Sequence, residues 1–467
     1  MRSIKLAYIG GGSKAWARVF MNDLALTDGL TGEIALYDID RAAAERNRRI
    51  GERIGAIPGV AAWRYTVAGT LEEALTGADF VAISILPGTL DDMAADVHLP
   101  EAYGIYQSVG DTVGPGGVMR ALRTVPLFEG FARAIRDCCP GAWVINLTNP
   151  MTILCRTLSD TFPGIKAFGC CHEVFHAEDF LCCVVKEQLG VPRPDRHELA
   201  VEVSGINHFT WITAARWRDH DVMGLLPGFI DRFFDTGYCE QGDDPQAFRG
   251  ESPFLYGNRV KMDLFRRYGA LGAAGDRHLV EFMDGRRYLA DRAAPGTWMY
   301  HLTSVDYRRK DQKRKIEEAE ALADGRKPVT LKKSDEELVT FMKALLGMGR
   351  VTSNANVANA GQMKEVPPGS VAETFCIFDT DSVTPLPAAP LPEGAAAMVR
   401  ENAENIEDLY AAIRSRDLDA AFRVFLRQPL CSRLGEADGR RLFAEMLAAT
   451  AGCLAPWYGI GPWINRI

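Results

Sequence analysis

The sequence lacks the long apolar runs of membrane proteins and the signal segment of secreted proteins. It contains no apolar run near the roughly 20 residues that a membrane-spanning helix needs, and the apolar stretch Phe80–Leu86 fits a buried strand. The N-terminus leads straight into a short apolar strand that ends at Gly10, too short for the apolar core of a secretion signal. We therefore expect a soluble cytoplasmic protein with no membrane partner.

An excess of positive charge is also missing. The chain has 53 Lys and Arg residues against 61 Asp and Glu residues, a formal net charge of −8. This balance argues against nucleic acid as a partner. A small anionic substrate remains compatible with it, because one local arginine can outweigh the global charge.

The cysteines do not form a recognisable disulfide or zinc pattern. There are 11, an odd number, with adjacent pairs at 138–139, 170–171 and 182–183 and no Cys-x-x-Cys spacing. Neighbouring cysteines seldom bridge each other, so free thiols in a reducing compartment are expected. A structural zinc site is not expected.

Strands and helices alternate in the first part of the chain, which indicates right-handed βαβ units and a parallel sheet. After about Gly190 this alternation gives way to a mixed pattern. We predict an α/β fold, with an N-terminal Rossmann-like, doubly wound parallel sheet over residues 1–194 and a second, mixed α+β domain over residues 195–467. The predicted strands are Ile4–Ile9, Ile34–Tyr37, Phe80–Leu86, Trp143–Asn146, Ile165–Phe168, Val201–Ser204 and Phe209–Thr213, and the predicted helices are 14–26, 40–54, 118–137, 258–268, 335–346, 393–414 and 440–449. Asp40 can cap the second of these helices.

A glycine turn between the first strand and the first helix predicts a dinucleotide site. Gly10, Gly11 and Gly12 would let the backbone approach a pyrophosphate, and the helix N-terminus after Ser13 would supply N–H groups. Asp38 ends the second strand, where a carboxylate can accept both ribose hydroxyls and would repel a 2′-phosphate, which favours NAD over NADP. A tight glycine turn that binds nothing is the alternative.

Polar side chains of the ligand type stand at the ends of predicted elements. They are Asn149 and Cys171–His172 after strands, Asn207–His208 after another strand, and Asp276–His278 after a helix. A thiolate and an imidazole can hold a divalent metal and leave positions open for substrate oxygens. The alternatives are a buried hydrophobic thiol and hydrogen-bonded structural histidines.

These motifs make the chain resemble glycoside hydrolase family 4 almost from end to end. Within the family, the segments around residues 171 and 276 most resemble the α-galacturonidase branch, with α-glucuronidases as close neighbours. The segments that carry the resemblance are Gly10–Ser13, Ser84–Gly88, Gly110–Gly117, Asn149–Pro150, Gly169–His172, Gly205–His208, Ala273–His278 and Asn356–Gln362.

The resemblance implies bound NAD and a divalent metal, usually Mn²⁺, and a homodimer or homotetramer. It also implies oxidation of the sugar at C3, deprotonation at C2, elimination of the leaving group, addition of water and re-reduction. The roles it implies are these: cofactor contact for Ser84; metal ligation for Cys171 and His208; C2 deprotonation for Asp276; leaving-group protonation for His172 or Asp111; sugar contact for Asn149.

The expected substrate is a small glycoside of a uronic acid. Its carboxylate would suit an arginine, for which Arg277 is the first candidate and His278 the second. The alternative for Arg277 is an ion pair with a protein carboxylate such as Glu281. A phosphosugar is disfavoured, because the Cys-Asn or Cys-Asp segment of that branch is replaced by Cys171–His172.

Other functions remain open at this point. The same chemistry could serve an α-glucuronidase or an α-galactosidase. A simple NAD-dependent dehydrogenase would make NADH in proportion to substrate, and a non-catalytic NAD sensor would show no metal-dependent turnover.

Overall fold

The computed structural model describes residues 1–465, and its first half is a six-stranded parallel sheet covered by helices on both faces. The strands lie in the order β3-β2-β1-β4-β5-β6, which is the order of a doubly wound dinucleotide-binding sheet and confirms the predicted fold class. The elements are β1 (Arg2–Ile9), α1 (Trp16–Ala25), β2 (Leu30–Tyr37), α2 (Arg41–Gly55), β3 (Trp63–Val67), α3 (Leu71–Leu75), β4 (Phe80–Ile83), α4 (Leu90–His98), α5 (Gly114–Cys138), β5 (Trp143–Asn146), α6 (Met151–Thr161), β6 (Lys166–Gly169) and α7 (Glu173–Leu189).

Local signals in the sequence set several of these boundaries. The Asp40 side chain accepts a hydrogen bond from the backbone N–H of Ala43 at 3.0 Å and so caps α2 as predicted. Strand β3 was not predicted. It lies at the sheet edge and alternates buried and exposed residues over only five positions, too few for a firm periodic signal.

The second half is mixed, as predicted. It combines antiparallel strands with helices of very different length. The elements are β7 (Leu199–Ile206), β8 (Phe209–Trp217), β9 (His220–Asp221), α8 (Leu226–Phe233), α9 (Arg259–Tyr268), β10 (Leu271–Gly272), α10 (Asp276–Leu279), α11 (Ala294–Thr297), α12 (Val305–Ala323), α13 (Leu338–Leu345), β11 (Val351–Ala358), β12 (Val371–Asp379), β13 (Ser382–Pro385), α14 (Glu393–Arg414), α15 (Leu418–Arg427), α16 (Glu436–Ala449), α17 (Ala451–Leu454) and α18 (Gly461–Ile464).

The two halves share one sheet. Strand β11 pairs antiparallel with β6 through Asn356 and Gly169, and β12, β7, β8 and β10 continue from it. Helices α12 and α13 return to the first half, where they pack on the core that contains β1 and β2. The predicted boundary at 194–195 falls between α7 and β7, and the division into two domains stays a prediction.

Strand register brings distant segments to one edge of the sheet. Gly272 pairs with Trp211, so the chain after β10 runs toward the tight turn between β7 and β8. Glu373 of β12 pairs with Gly205, just before the same turn. The carboxyl ends of β5 and β6 meet this edge through β11. This is where ligands bind in open α/β sheets.

Within the described part of the chain, no helix is long and apolar enough to cross a membrane. All eleven cysteines are free thiols.

Candidate active site

The glycine turn after β1 is shaped by close contact with neighbouring strands. Gly10 has φ of +93°, and a Cβ atom there would lie 2.0 Å from the carbonyl oxygen of Ser84. The Gly12 N–H donates to the Asp38 carboxylate at 2.8 Å, and a Cβ on Gly12 would lie 2.8 Å from that same oxygen. The structure thus places Gly10, Gly11, Gly12, Ser13, Asp38 and Ser84 together, although their contact with a cofactor stays a prediction.

The turn between β7 and β8 presents His208 to the interior. Ile206 pairs with Phe209, so Asn207 and His208 form a two-residue hairpin turn. His208 has φ of +66°, a left-handed conformation that non-glycine residues seldom adopt and that clusters at functional sites. Its ring centroid lies 3.9 Å from that of His278. The turn therefore places the imidazole of His208 in contact with that of His278, which lies 70 residues further along the chain.

Asp111, His208 and His278 form a buried cluster of metal-ligand type. One ligand atom from each residue lies within 4.8 Å of the other two. The Thr112 hydroxyl contacts both the Asp111 carboxylate at 2.8 Å and His208 Nδ1 at 3.0 Å. The Nδ1 atom of His278 is buried and has no hydrogen-bond partner among residues 1–465. An orphaned imidazole nitrogen beside a second imidazole and a carboxylate fits a divalent cation.

Electrostatics favour metal binding by this cluster. Burial lowers the pKa of His208 to about 3, with the neighbouring His278 contributing, so its imidazole is neutral at pH 7 and offers a lone pair. Burial alone would raise the pKa of Asp111, but the positive charge of Arg120 and the two imidazoles lower it below its usual value. Asp111 is therefore a carboxylate at neutral pH. That state suits a ligand better than the acid role predicted for it.

Cys171 lies next to this cluster but is not one of its three members. Its sulfur is approached by the Asn207 side chain and the backbone N–H of Glu173, and its carbonyl oxygen accepts from Asn354 at 3.3 Å. Burial and the carboxylates of Glu373 and Glu173 raise the pKa of the thiol, so a cation would be needed to hold the thiolate form. Metal ligation by Cys171 stays a prediction.

Glu173, which follows β6, forms a hydrogen bond and ionic contacts with the segment after β10. Its carboxylate accepts from the Gly275 N–H at 2.6 Å and lies 3.7 Å from Arg277 and 3.4 Å from His278. Burial would raise the pKa of Glu173, but His278 and Arg277 bring it well below its usual value. The charged form of Glu173 therefore anchors two of the predicted substrate-binding residues.

Arg277 faces the carboxylate of Glu173 and not that of Glu281, so the alternative of an ion pair with a protein carboxylate holds with a different partner from the one named. The Arg277 guanidinium also lies over the ring of Phe254, 4.6 Å from its centroid. Glu281 instead accepts the backbone N–H groups of Val109 and Gly110 at 2.7 and 2.9 Å. Helix α10 ends at Leu279 and Glu281 lies in the 3-10 turn that follows, so the one-turn spacing of an α-helix does not hold between Arg277 and Glu281.

Asp276 is fully buried and caps a helix. Its two carboxylate oxygens accept the backbone N–H groups of Val260 at 3.0 Å and Lys261 at 3.1 Å, at the start of α9. Burial raises its pKa to about 7 even though Lys261 and these bonds lower it. The structure gives Asp276 a structural role that the sequence did not suggest, and its role as the C2 base stays a prediction.

Tyr256 was missed by the sequence analysis. Its ring lies against Gly275, with a Cβ there only 3.0 Å away, and its buried hydroxyl bonds to no other group within residues 1–465. Burial and the nearby charges of Glu240, Glu173 and Asp276 raise its pKa. A single tyrosine in a loop belongs to no periodic pattern or motif, so only the tertiary structure identifies Tyr256 as a candidate site residue.

His172 and Asn149 lie at the ends of neighbouring strands, as predicted. His172 pairs with Glu336 at 3.1 Å, and its ring centroid lies 5.5 Å from that of Trp16 in α1. Burial lowers the pKa of His172, but the bond to Glu336 outweighs it and the net shift is upward. The side-chain oxygen of Asn149 is buried and has no partner among the described residues, so it is available to a ligand.

Comparison with known families matches two sequence models along most of the chain. Residues 5–187 match family 4 glycosyl hydrolase, and residues 203–431 match the C-terminal domain of that family. The chain belongs to glycosyl hydrolase family 4. The resemblance inferred from the motifs is thereby confirmed, and a simple dehydrogenase is not favoured.

Curated relatives extend over nearly the whole chain. An α-galacturonidase of Thermoanaerobacterium saccharolyticum is 45% identical over 98% of this chain and 98% of its own length. An α-galacturonidase of Bacillus subtilis is 45% identical over 95% of this chain and 97% of its own.

Solved family members share the fold. The crystal structure of Bacillus subtilis lplD superposes with a TM-score of 0.90 at 44% identity, covering 96% of this chain and 100% of the other. A 6-phospho-α-glucosidase from gut microorganisms, solved with NAD and Mn²⁺, has a TM-score of 0.78 at 19% identity, covering 97% and 99%. At that identity the likeness establishes the fold alone.

Proposed function

We propose that this family 4 glycosyl hydrolase cleaves α-galacturonides and requires NAD and a divalent cation, Mn²⁺ being the first candidate. Relatives at 43–45% identity carry the name α-galacturonidase. We further propose a homodimer or homotetramer as the active form. Light scattering on the purified protein would test this assembly.

The observation that carries the proposal is the buried cluster of Asp111, His208 and His278 beside a cationic group. The positive charges of Arg120 and Arg308 act on the Asp111 carboxylate, so a cation site and two guanidinium groups lie close together. A uronic acid offers hydroxyl oxygens for the cation and a carboxylate for a guanidinium group. A neutral sugar would offer no anion to these groups.

NAD, when bound, supplies a hydride acceptor and donor for C3 of the sugar, and the cation supplies a Lewis acid for the carbonyl formed there. The chain must then remove the C2 proton and protonate the leaving group. We propose Asp276 or Tyr256 for the first task and His172 for the second. Asn149 would orient the sugar, and Cys171 would complete the ligand set with His208.

His172 suits the acid role better than Asp111. The Glu336 carboxylate shifts the pKa of His172 upward, so a larger fraction carries a proton at neutral pH. The pKa of Asp111 is shifted downward, so Asp111 has no proton to give.

Turnover with limiting NAD tests the function. With 4-nitrophenyl α-D-galacturonide and Mn²⁺, we expect many equivalents of nitrophenol released for each NAD. The matched α-glucuronide and α-galactoside should react far more slowly. Faster cleavage of the neutral galactoside would overturn the proposed substrate, and NADH formed in proportion to nitrophenol would overturn the redox-neutral reaction.

Two variants separate the candidate bases. Asp276→Asn and Tyr256→Phe each remove one ionisable group with little change of volume. The variant that loses the base should still bind NAD but no longer exchange the C2 hydrogen of product with D₂O. Exchange at the wild-type rate in both variants would exclude both residues.

A further inference from the structure

Arg120 is a buried cation that forms no ion pair with any residue in the described part of the chain. It lies in the first half of α5 and is 5% exposed. Its Nε donates to the carbonyl oxygen of Asn149 at 3.1 Å. Within residues 1–465, neither terminal guanidinium nitrogen forms a hydrogen bond or an ion pair. Two terminal nitrogens that could bind an anion together are therefore available beside the proposed sugar-binding asparagine.

The next arginine of the same helix, Arg123, is also buried, but all three of its guanidinium nitrogens have hydrogen-bond partners. Arg123 is 2% exposed and holds the Asp96 carboxylate through both terminal nitrogens. Its Nε also donates, to the carbonyl oxygen of Pro87 at 3.1 Å. Arg120 makes only the equivalent Nε contact, so it lacks the carboxylate that completes the pattern.

A second guanidinium approaches the same region from α12. Arg308 donates to the backbone carbonyl oxygens of Val109 at 3.1 Å and Thr303 at 3.4 Å, and it forms no ion pair with any described residue. Its positive charge acts on Arg120, and both act on Asp111. Two like charges from different elements thus act on one carboxylate of the metal-ligand cluster.

Holding this arrangement without an anion is unfavourable. Burial, together with the charges of Arg123 and Arg308, lowers the pKa of Arg120 to about 10. Asp111 offsets part of the charge, but a cation bound by the cluster would compete for that carboxylate. Glu281 also acts on Arg308, but burial raises the pKa of Glu281 to about 7, so its carboxyl is only partly ionised at neutral pH.

Arg277, the first candidate for binding the substrate carboxylate, already has a negatively charged partner. Glu173 already faces its guanidinium, and Phe254 covers one side. A substrate carboxylate at Arg277 would have to compete with a buried protein carboxylate, whereas none occupies the space at Arg120.

We propose that Arg120 and Arg308 bind the carboxylate of the uronic acid and so set the preference for uronides over neutral glycosides. This inference rests on the proposed function. The Asn149 loop, held by Arg120, would place the sugar ring between this anion site and the cluster of Asp111, His208 and His278.

The test compares two substrates that differ in the charge at C6. They are 4-nitrophenyl α-D-galacturonide and its uncharged methyl ester, assayed as holoenzyme with NAD and Mn²⁺. The variants are Arg120→Gln, Arg308→Gln and the conservative Arg120→Lys. Arg309→Gln is the matched control, because Arg309 neighbours Arg308 on α12 but contacts the exposed Asp91.

We expect Arg120→Gln and Arg308→Gln each to lower kcat/KM for the acid about tenfold to hundredfold, with little change for the ester. Arg120→Lys should restore part of the preference, and Arg309→Gln should match wild type for both substrates. NAD affinity, measured by fluorescence titration, should be unchanged in every variant, and circular dichroism with thermal melting reports independently that each has folded.

An equal loss on both substrates would overturn the inference, since it would mean that Arg120 only supports the Asn149 loop. Loss of NAD affinity in folded Arg120→Lys would also overturn it, by assigning the cation to a cofactor phosphate. Failure of the proposed function looks different, because the wild type itself would then show no preference for the acid over the ester.

Discussion

Replacing Glu173 with glutamine should lower the free energy of unfolding by about 3 kcal/mol, the lower end of the range for breaking a buried ion pair from one side. Glutamine keeps an oxygen for the Gly275 N–H but loses the charge that faces Arg277 and His278. The contacts of 3.4 and 3.7 Å exceed ideal ion-pair distances, which is why the lower end applies.

A double-mutant cycle isolates the contribution of the pair. Glu173→Gln, Arg277→Gln and the double variant would be unfolded in urea without NAD or metal and followed by tryptophan fluorescence. We expect a coupling energy above about 1 kcal/mol, because the side chains of both partners are about one-tenth exposed. The matched surface pair Asp91 and Arg309 should give about 0.5 kcal/mol or less, since solvent screens it.

The cycle can refute this reasoning directly. If the buried pair couples no more strongly than the surface pair, Glu173 does not anchor the segment after β10 through its charge. The hydrogen bond to Gly275 alone would then explain its position.

Three further predictions concern other parts of the site. Wild-type stability should fall as pH rises from 4.5 to about 7, because the folded chain keeps a proton on Glu281 that the unfolded chain releases. Glu281→Gln keeps the oxygen that accepts two backbone N–H groups, so in urea titrations it should match wild type at pH 4 and exceed it by up to about 3 kcal/mol at pH 8. Cys171→Ser should weaken Mn²⁺ binding in calorimetry at least tenfold, whereas Cys170→Ser should change it little. Gly10→Ala should abolish NAD binding in fluorescence titration, because the new Cβ would lie 2.0 Å from the Ser84 carbonyl oxygen.

Each of these has an outcome that contradicts it. Parallel pH curves for wild type and Glu281→Gln would show that this carboxyl does not titrate differently on folding. Equal loss of Mn²⁺ affinity in the two cysteine variants would mean that the wrong thiol was chosen. Normal NAD binding by Gly10→Ala would place the nucleotide elsewhere.

Much of the fold could be predicted, because short-range patterns determine it. Apolar runs of four to eight residues predicted β1, β4, β5 and β6, and the capping Asp40 predicted the start of α2. The continuous sheet could not be predicted. It depends on pairing between β11 and β6, whose sequences lie almost 190 residues apart and carry no local sign of each other.

For the site, the sequence by itself determined the inventory of reactive groups and the family. Recognisable sequence motifs contain Asn149, Cys171, His208 and Asp276. Which of them meet was decided only by tertiary structure. Packing between distant segments placed His278 and Asp111 beside His208, placed Asp276 at a helix N-terminus and left the terminal guanidinium nitrogens of Arg120 without a partner among residues 1–465. Side-chain environments follow from contacts between distant segments, and burial and opposing charge, which set the protonation states, exist only once those contacts have formed.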